Sequence, residues 1–161
     1  MVKRMLAIVV FGCFLVLAGC GGPVQDDILN YVNKELKTAQ ELEDKAVSAY
    51  EGVAGVNYTD DPTMHDALVN EVIPTYTDLI NELESVSINT DELKEIHEIY
   101  LSGANLQLSA FEKIKEAIEK QSSSMIEEAN QLLEEGRLKI EDYNKKLDEL
   151  AKDNNVEIEK R

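Results

Sequence analysis

From Asp26 onward, apolar residues recur every three or four positions with polar residues between them, the period that gathers apolar side chains on one helical face. Ile28, Val32, Leu36, Ala39, Leu42, Ala46, Ala49 and Val53 form the first stripe. A second opens at Asp60-Asp61-Pro62, an acidic cap with proline in the first turn, and carries Met64, Leu68, Val72, Tyr76, Leu79, Leu83 and Val86. The third begins near Asn89, which has the capping-box spacing to Glu92, and continues through Leu93, Ile96, Tyr100, Ala104, Gln107, Phe111, Ile114 and Ile118. In the fourth, Ser124 and Glu127 form a second box ahead of Ile126, Ala129, Leu133, Gly136, Ile140, Tyr143, Leu147 and Leu150. That last run alternates steps of three and four, a heptad seam that could also pair two chains as a coiled coil. No strand pattern separates the four stripes. The predicted fold is all-α: an elongated, antiparallel up-down four-helix bundle over residues 26–152, with a polar tail at 153–161 that frays. A 28-residue helix is roughly 40 Å long, so the body is expected to be a rod.

Two breakers interrupt the stripes. Pro74 lies inside the second segment, where it removes a backbone donor and predicts a kink. Gly103 lies inside the third, at the same level when residues are counted from the intervening turn, and Tyr143 reaches that level from the fourth. These three could border a mid-bundle pocket, or Tyr143 could fill the space beside the small residues. The longest irregular stretch, Gly52 to Asp60, contains Val53, Val56 and Tyr58. Those apolar side chains either fold back over the end of the bundle or form a tip that meets a partner.

Ahead of the helices stand Lys3 and Arg4, an apolar run from Met5 to Leu17, and then Leu17-Ala18-Gly19-Cys20. A basic start, a short apolar core and a small-residue site make an export signal, too short to span a bilayer. Leu-Ala-Gly-Cys resembles the lipobox of bacterial lipoproteins. The resemblance implies lipidation of the Cys20 sulfur by diacylglycerol and cleavage between Gly19 and Cys20. Residues 1–19 are then the discarded signal and 20–25 a short tether. Cys13 departs with the signal, leaving Cys20 as the only cysteine and no disulfide within the mature chain. Acyl chains contribute about 0.8 kcal/mol per buried methylene, so two or three of them hold a domain on a bilayer.

Cleavage also removes two basic residues from the 16 present, leaving a net charge of 14 − 32 = −18. So acidic a body has no electrostatic basis for binding nucleic acid and is repelled by anionic lipid. Catalytic and metal signatures are missing from the sequence as well. His65 and His97, the only histidines, have Pro62 and Lys94 three residues before them, so neither completes the Glu-x-x-His element of di-iron bundles. No zinc-protease, nucleophile-elbow or phosphate-loop pattern occurs, and no metal or cofactor is expected. A lone histidine is ordinarily a surface or boundary residue.

The run Val72-Ile73-Pro74-Thr75-Tyr76, together with Leu93 to Tyr100 and Gln107 to Ala117, resembles the uncharacterised small helical lipoproteins of Gram-positive bacteria. That group carries no activity or site residues to transfer. The expected function is therefore a non-enzymatic binding module, anchored by acylated Cys20 on the extracytoplasmic face of the cell membrane and directed at another envelope protein. A small-ligand carrier or sensor using the Pro74, Gly103 and Tyr143 level is the alternative.

Overall fold

In a computed structural model, residues 11–12 and 22–160 are described. Gly19 and Cys20, with the rest of the expected signal sequence apart from Phe11 and Gly12, lie outside them. The body is all-helical. Helix α1 spans Pro23–Asn30 and passes through a π-turn, Tyr31–Glu35, into α2, Lys37–Glu51. A 3-10 turn at Gly55–Asn57 leads to α3, Asp61–Ala67, which passes through a second π-turn, Leu68–Val72, into α4, Ile73–Ser85. Two long helices follow, α5 at Asp91–Lys120 and α6 at Ser123–Asp153. A two-residue antiparallel pairing joins β1, Phe11–Gly12, to β2, Glu159–Lys160. Among the described residues, no helix is long and apolar enough to cross a membrane.

The expected break at Pro74 takes the form of the second π-turn. Proline has no N–H to give the carbonyl four residues back and its ring crowds that carbonyl. The chain widens over Leu68–Val72 and restarts as α4 with Pro74 in its first turn, where no donor is needed. The first π-turn has no proline behind it. Ile28 before it, Tyr31 and Val32 within it, and Leu36 and Ala39 after it all lie in the core. Leu36 N–H reaches Tyr31 O at 3.0 Å, and Asn30 Nδ2 donates to Glu35 Oε1 at 3.3 Å across the widened turn.

Helix ends follow the sequence in one place and depart from it in three. Asp60 caps α3 by accepting from Thr63 N–H at 2.8 Å. The Asn89 capping box does not form: α5 begins after Thr90, and the cap comes from another helix. Asp27 of α1, 3 % exposed, accepts from Asn89 N–H at 3.0 Å, Asn89 Nδ2 at 2.9 Å, Thr90 N–H at 2.9 Å and Thr90 Oγ1 at 2.7 Å. The Ser124 box does not form either, since α6 starts after Ser122, whose Oγ meets Ser124 Oγ at 3.1 Å. The third departure is the tail. Asn155 takes φ 56° and Val156 N–H bonds Ala151 O at 2.8 Å, a left-handed helix stop that folds Val156 back into the core.

The order of contacts sets the directions of the helices. Along α5 and α6, Gly103 meets Gly136, Tyr100 meets Tyr143 and Lys113 meets Glu128, rising numbers against falling ones. Tyr76 with Phe111 and Leu83 with His97 do the same for α4 and α5. Tyr31 with His97, Glu43 with Tyr100 and Tyr50 with Phe111 rise together, so the first helical stretch runs alongside α5 in its direction. The second and third stripes are buried almost throughout, whereas Ile126, Leu133, Ile140 and Leu150 of α6 keep part of their surface. Helix α6 rests mainly on α5, and closest at Gly136. A Cβ there would sit 2.8 Å from Gln107 Cγ and 3.0 Å from Gly103 O.

Two outcomes follow. Gly136→Ala, although it raises helix propensity, should destabilise the fold by about 1–3 kcal/mol because the crossing must open; urea denaturation showing an equal or higher midpoint would contradict this. Burial alone would raise the Asp27 pKa, but the hydrogen bonds from Thr90 and Asn89 outweigh it and hold the group below its ordinary value of 3.8. Its contribution is thus present above that value and lost as pH falls through the lower folded one. Asp27→Ala should cost about 1–3 kcal/mol at pH 7 by leaving its buried partners unpaired, and the gap from the unsubstituted protein should narrow in strongly acidic solution.

Candidate functional site

The interior of this acidic protein holds a line of polar side chains. His97 of α5 is buried, and its Nε2 lies 2.9 Å from Leu83 O at the end of α4. A carbonyl only accepts, so Nε2 carries the proton and Nδ1 offers a lone pair. Tyr31 O–H, 2.9 Å away, therefore donates to Nδ1. The Tyr31 oxygen in turn accepts from Tyr143 O–H of α6 at 3.2 Å. Three hydrogen bonds thus tie the first π-turn, α4, α5 and α6 together through a neutral imidazole. Burial pushes the His97 pKa below its ordinary value, against the Leu83 bond and the charge of Glu98. Burial, with Tyr143 beside it, pushes Tyr31 well above the usual tyrosine range.

A second polar group lies one turn away. Tyr100 stacks on Tyr143 with ring centroids 4.6 Å apart and donates its hydroxyl to Glu43 Oε2 at 2.7 Å. Tyr76 donates to Gln107 Oε1, and Phe111 packs between Tyr76 and Tyr50 at 5.2 and 4.8 Å. Burial, assisted by the charge of Asp44 and opposed by the Tyr100 bond, pushes the Glu43 carboxyl from 4.5 up to about 7. Among the described residues, every sealed side-chain nitrogen and oxygen has a partner.

The sequence-derived site divides. Tyr143 is buried in this cluster. Pro74 is exposed, and Gly103 packs directly on Gly136, Lys139 and Ile140, so neither borders a space shared with Tyr143. Counting residues from a turn fixes a level but not a face: Pro74 stands on the exposed side of α4, and Tyr143 meets Tyr100, about one turn from Gly103. His65 is a boundary residue, 3.0 Å from Glu119, but His97 is not. Glu43 was legible: Leu36, Ala39, Glu43, Ala46 and Tyr50 step by three and four, which places an acid in an apolar seam. Tyr31 was legible too, since it stands three residues after Ile28 on the same face as Val32, and all three are buried. No group of three or more His, Cys, Asp or Glu able to hold a metal occurs among the described residues.

The comparison with known families defines a class rather than a chemistry, that of bacterial lipoproteins. Over residues 1–161 the chain matches the EMYY-motif containing lipoprotein family, and it belongs to that family. Membership makes it a membrane-anchored protein of the cell envelope. No curated protein and no solved structure matches the chain.

The Glu43 carboxyl holds its proton more tightly folded than unfolded. Stability from this group is therefore full below 4.5, declines as pH rises to about 7, and is flat beyond. The groups facing it are Asp44 on its own helix, Tyr76, Tyr100 and Tyr143. Glu43→Gln should be more stable than the unsubstituted protein at pH 8, by about 2–3 kcal/mol, with little difference at pH 4. His97 contributes the opposite slope to both proteins, so thermal melts of the pair at each pH isolate Glu43. A pH-independent difference would refute the assignment.

Proposed function

We propose that this protein is a non-enzymatic helical module, an up-down four-helix bundle held by acylated Cys20 on the extracytoplasmic face of the membrane, that binds another envelope protein. The observation that carries the reading is the start of α1 at Pro23, N-capped by Gly22, with Asp27 pinning that helix to the α4–α5 turn. Because residues 23–25 are helical, the expected 20–25 tether shortens to Cys20, Gly21 and Gly22, about 10 Å when extended. Such a chain works beside the bilayer. The antiparallel order of α4, α5 and α6, with the first stretch running alongside α5, supports the bundle reading.

Gln25 Nε2 bonds Asn155 O at 3.4 Å, so the chain's end returns to the anchored end. The Gly52–Asp60 connection lies at the other end with the α5–α6 turn, where Gln121 Nε2 bonds Asp61 Oδ2 at 3.1 Å. There Val56 is 92 % exposed and Tyr58 46 % exposed, while Val53 and Ala54 pack inward. Half of the loop thus seals the bundle, and the half that faces outward is where this reading puts the partner contact.

A photo-crosslinking residue at Val56 should capture one defined envelope protein in intact cells, and the same residue at exposed Glu95 should not. An identical ladder of products from both positions would sink the proposal. Cys20→Ser should leave the helices folded but release the protein from the membrane fraction and reduce that capture. Undiminished capture by the released protein would separate binding from anchoring.

A further inference from the structure

The hydrogen-bonded chain through His97 has a fixed direction and no spare acceptor. Leu83 O only accepts, which commits one ring proton to Nε2. Nδ1 then accepts from Tyr31 O–H, and the Tyr31 oxygen accepts from Tyr143 O–H, so three protons meet three acceptors one to one. A proton added at Nδ1 breaks the match. Imidazolium donates from both nitrogens, so Nδ1–H must point at the Tyr31 oxygen and the Tyr31 proton must turn away, towards the Tyr143 oxygen. One phenolic proton is then left without a bonded acceptor. Tyr31 is 0 % exposed and Tyr143 is 5 % exposed, so the stranded proton is borne at Tyr143, the one nearer to water.

We propose that His97 is an acid-operated latch: a proton on Nδ1 reverses the chain, expels the Tyr143 hydroxyl from it and loosens the second half of α6, while α4 and α5 stay joined. The asymmetry follows from the partners. Nε2 keeps Leu83 O, and a hydrogen bond from imidazolium is stronger than one from the neutral ring. Tyr143 loses the bond that ties α6 to the first helical stretch. Two turns earlier, Gly136 still lies against Gly103 and Gln107 of α5, so the loosening begins beyond that contact, over residues 140–153. Tyr31 faces the ring from the π-turn, the Leu83 carbonyl from α4 and, behind Tyr31, Tyr143 from α6. Asp27 of α1 and Glu35 of the π-turn are committed elsewhere, to Asn89 with Thr90 and to Asn30. Glu98 acts on the ring through space, and Glu43 acts on Tyr143 in the same way. Neither ring nitrogen is bonded to a carboxylate, and burial lowers the ring's affinity for a proton, so the latch is set at neutral pH and opens in mild acid.

Hydrogen–deuterium exchange of the intact protein in detergent, corrected for the intrinsic effect of pH, reads the latch. Between pH 7.5 and pH 5, the amides of residues 140–153 should lose at least tenfold in protection and those of residues 76–100 less than about threefold. In the unsubstituted protein, nitrogen-15 resonances of the His97 ring should show Nε2–H retained and Nδ1 gaining its proton at the midpoint of the α6 change. This keeps the test decisive where a variant fails to fold. His97→Gln should leave residues 140–153 equally protected at both pH values. Glu43→Gln removes the other buried group that titrates in this range and should retain the acid response. Unchanged protection in α6, an equal loss in every helix, a midpoint apart from that of the imidazole, or an acid response that survives in folded His97→Gln or disappears in folded Glu43→Gln would overturn the proposal.

Discussion

The hydrogen bond from Tyr31 to His97 is the contact on which the arrangement of the helices depends. It fixes the imidazole as a neutral acceptor at Nδ1, which forces Nε2 to serve Leu83 O and orders the Tyr143 hydroxyl behind it. Apolar stripes can slide past one another by a turn at little cost, because leucine fits many holes. A donor and an acceptor that must meet inside a low-dielectric core cannot, since a slipped register would strand each of them. The four helical stretches therefore have one alignment in which all their polar groups are satisfied.

Much of this was legible in the chain. The three-and-four periodicity located all four stripes, and the Met64 to Leu83 stripe is buried as its spacing requires. What escaped is non-local. The acid that caps α5 comes from α1, more than sixty residues earlier, and no local motif announces a cap borrowed across the fold. Counting from a turn gives a residue's level and not its face, which is why Pro74, on the exposed side of α4, was grouped with buried Gly103 and Tyr143. The tail was read as fraying from composition alone, yet Val156 is held by a left-handed turn at Asn155.

The interior and exterior follow opposite rules. Outside, lysines and arginines pair with carboxylates three or four residues away along one helix, contacts of little individual energy. Inside, phenols take the place of cations, and the single carboxylate among them is served by a hydroxyl. A substitution on the solvated outer face disturbs one such pair at most, while one in the tyrosine-lined centre disturbs several helices at once.

The Asp27 clamp has a mechanical meaning beyond its share of stability. A body fastened at its N-terminus receives any pull at Gly22, and the force meets Asp27 after little more than one helical turn. All four donors to its carboxylate sit on one adjacent pair of residues, Asn89 and Thr90, so they bear the load together rather than one after another. The carboxylate is in effect a strain relief, like the clip where a cable enters its housing. It spares the tyrosine-lined centre from tension applied at that end of the chain.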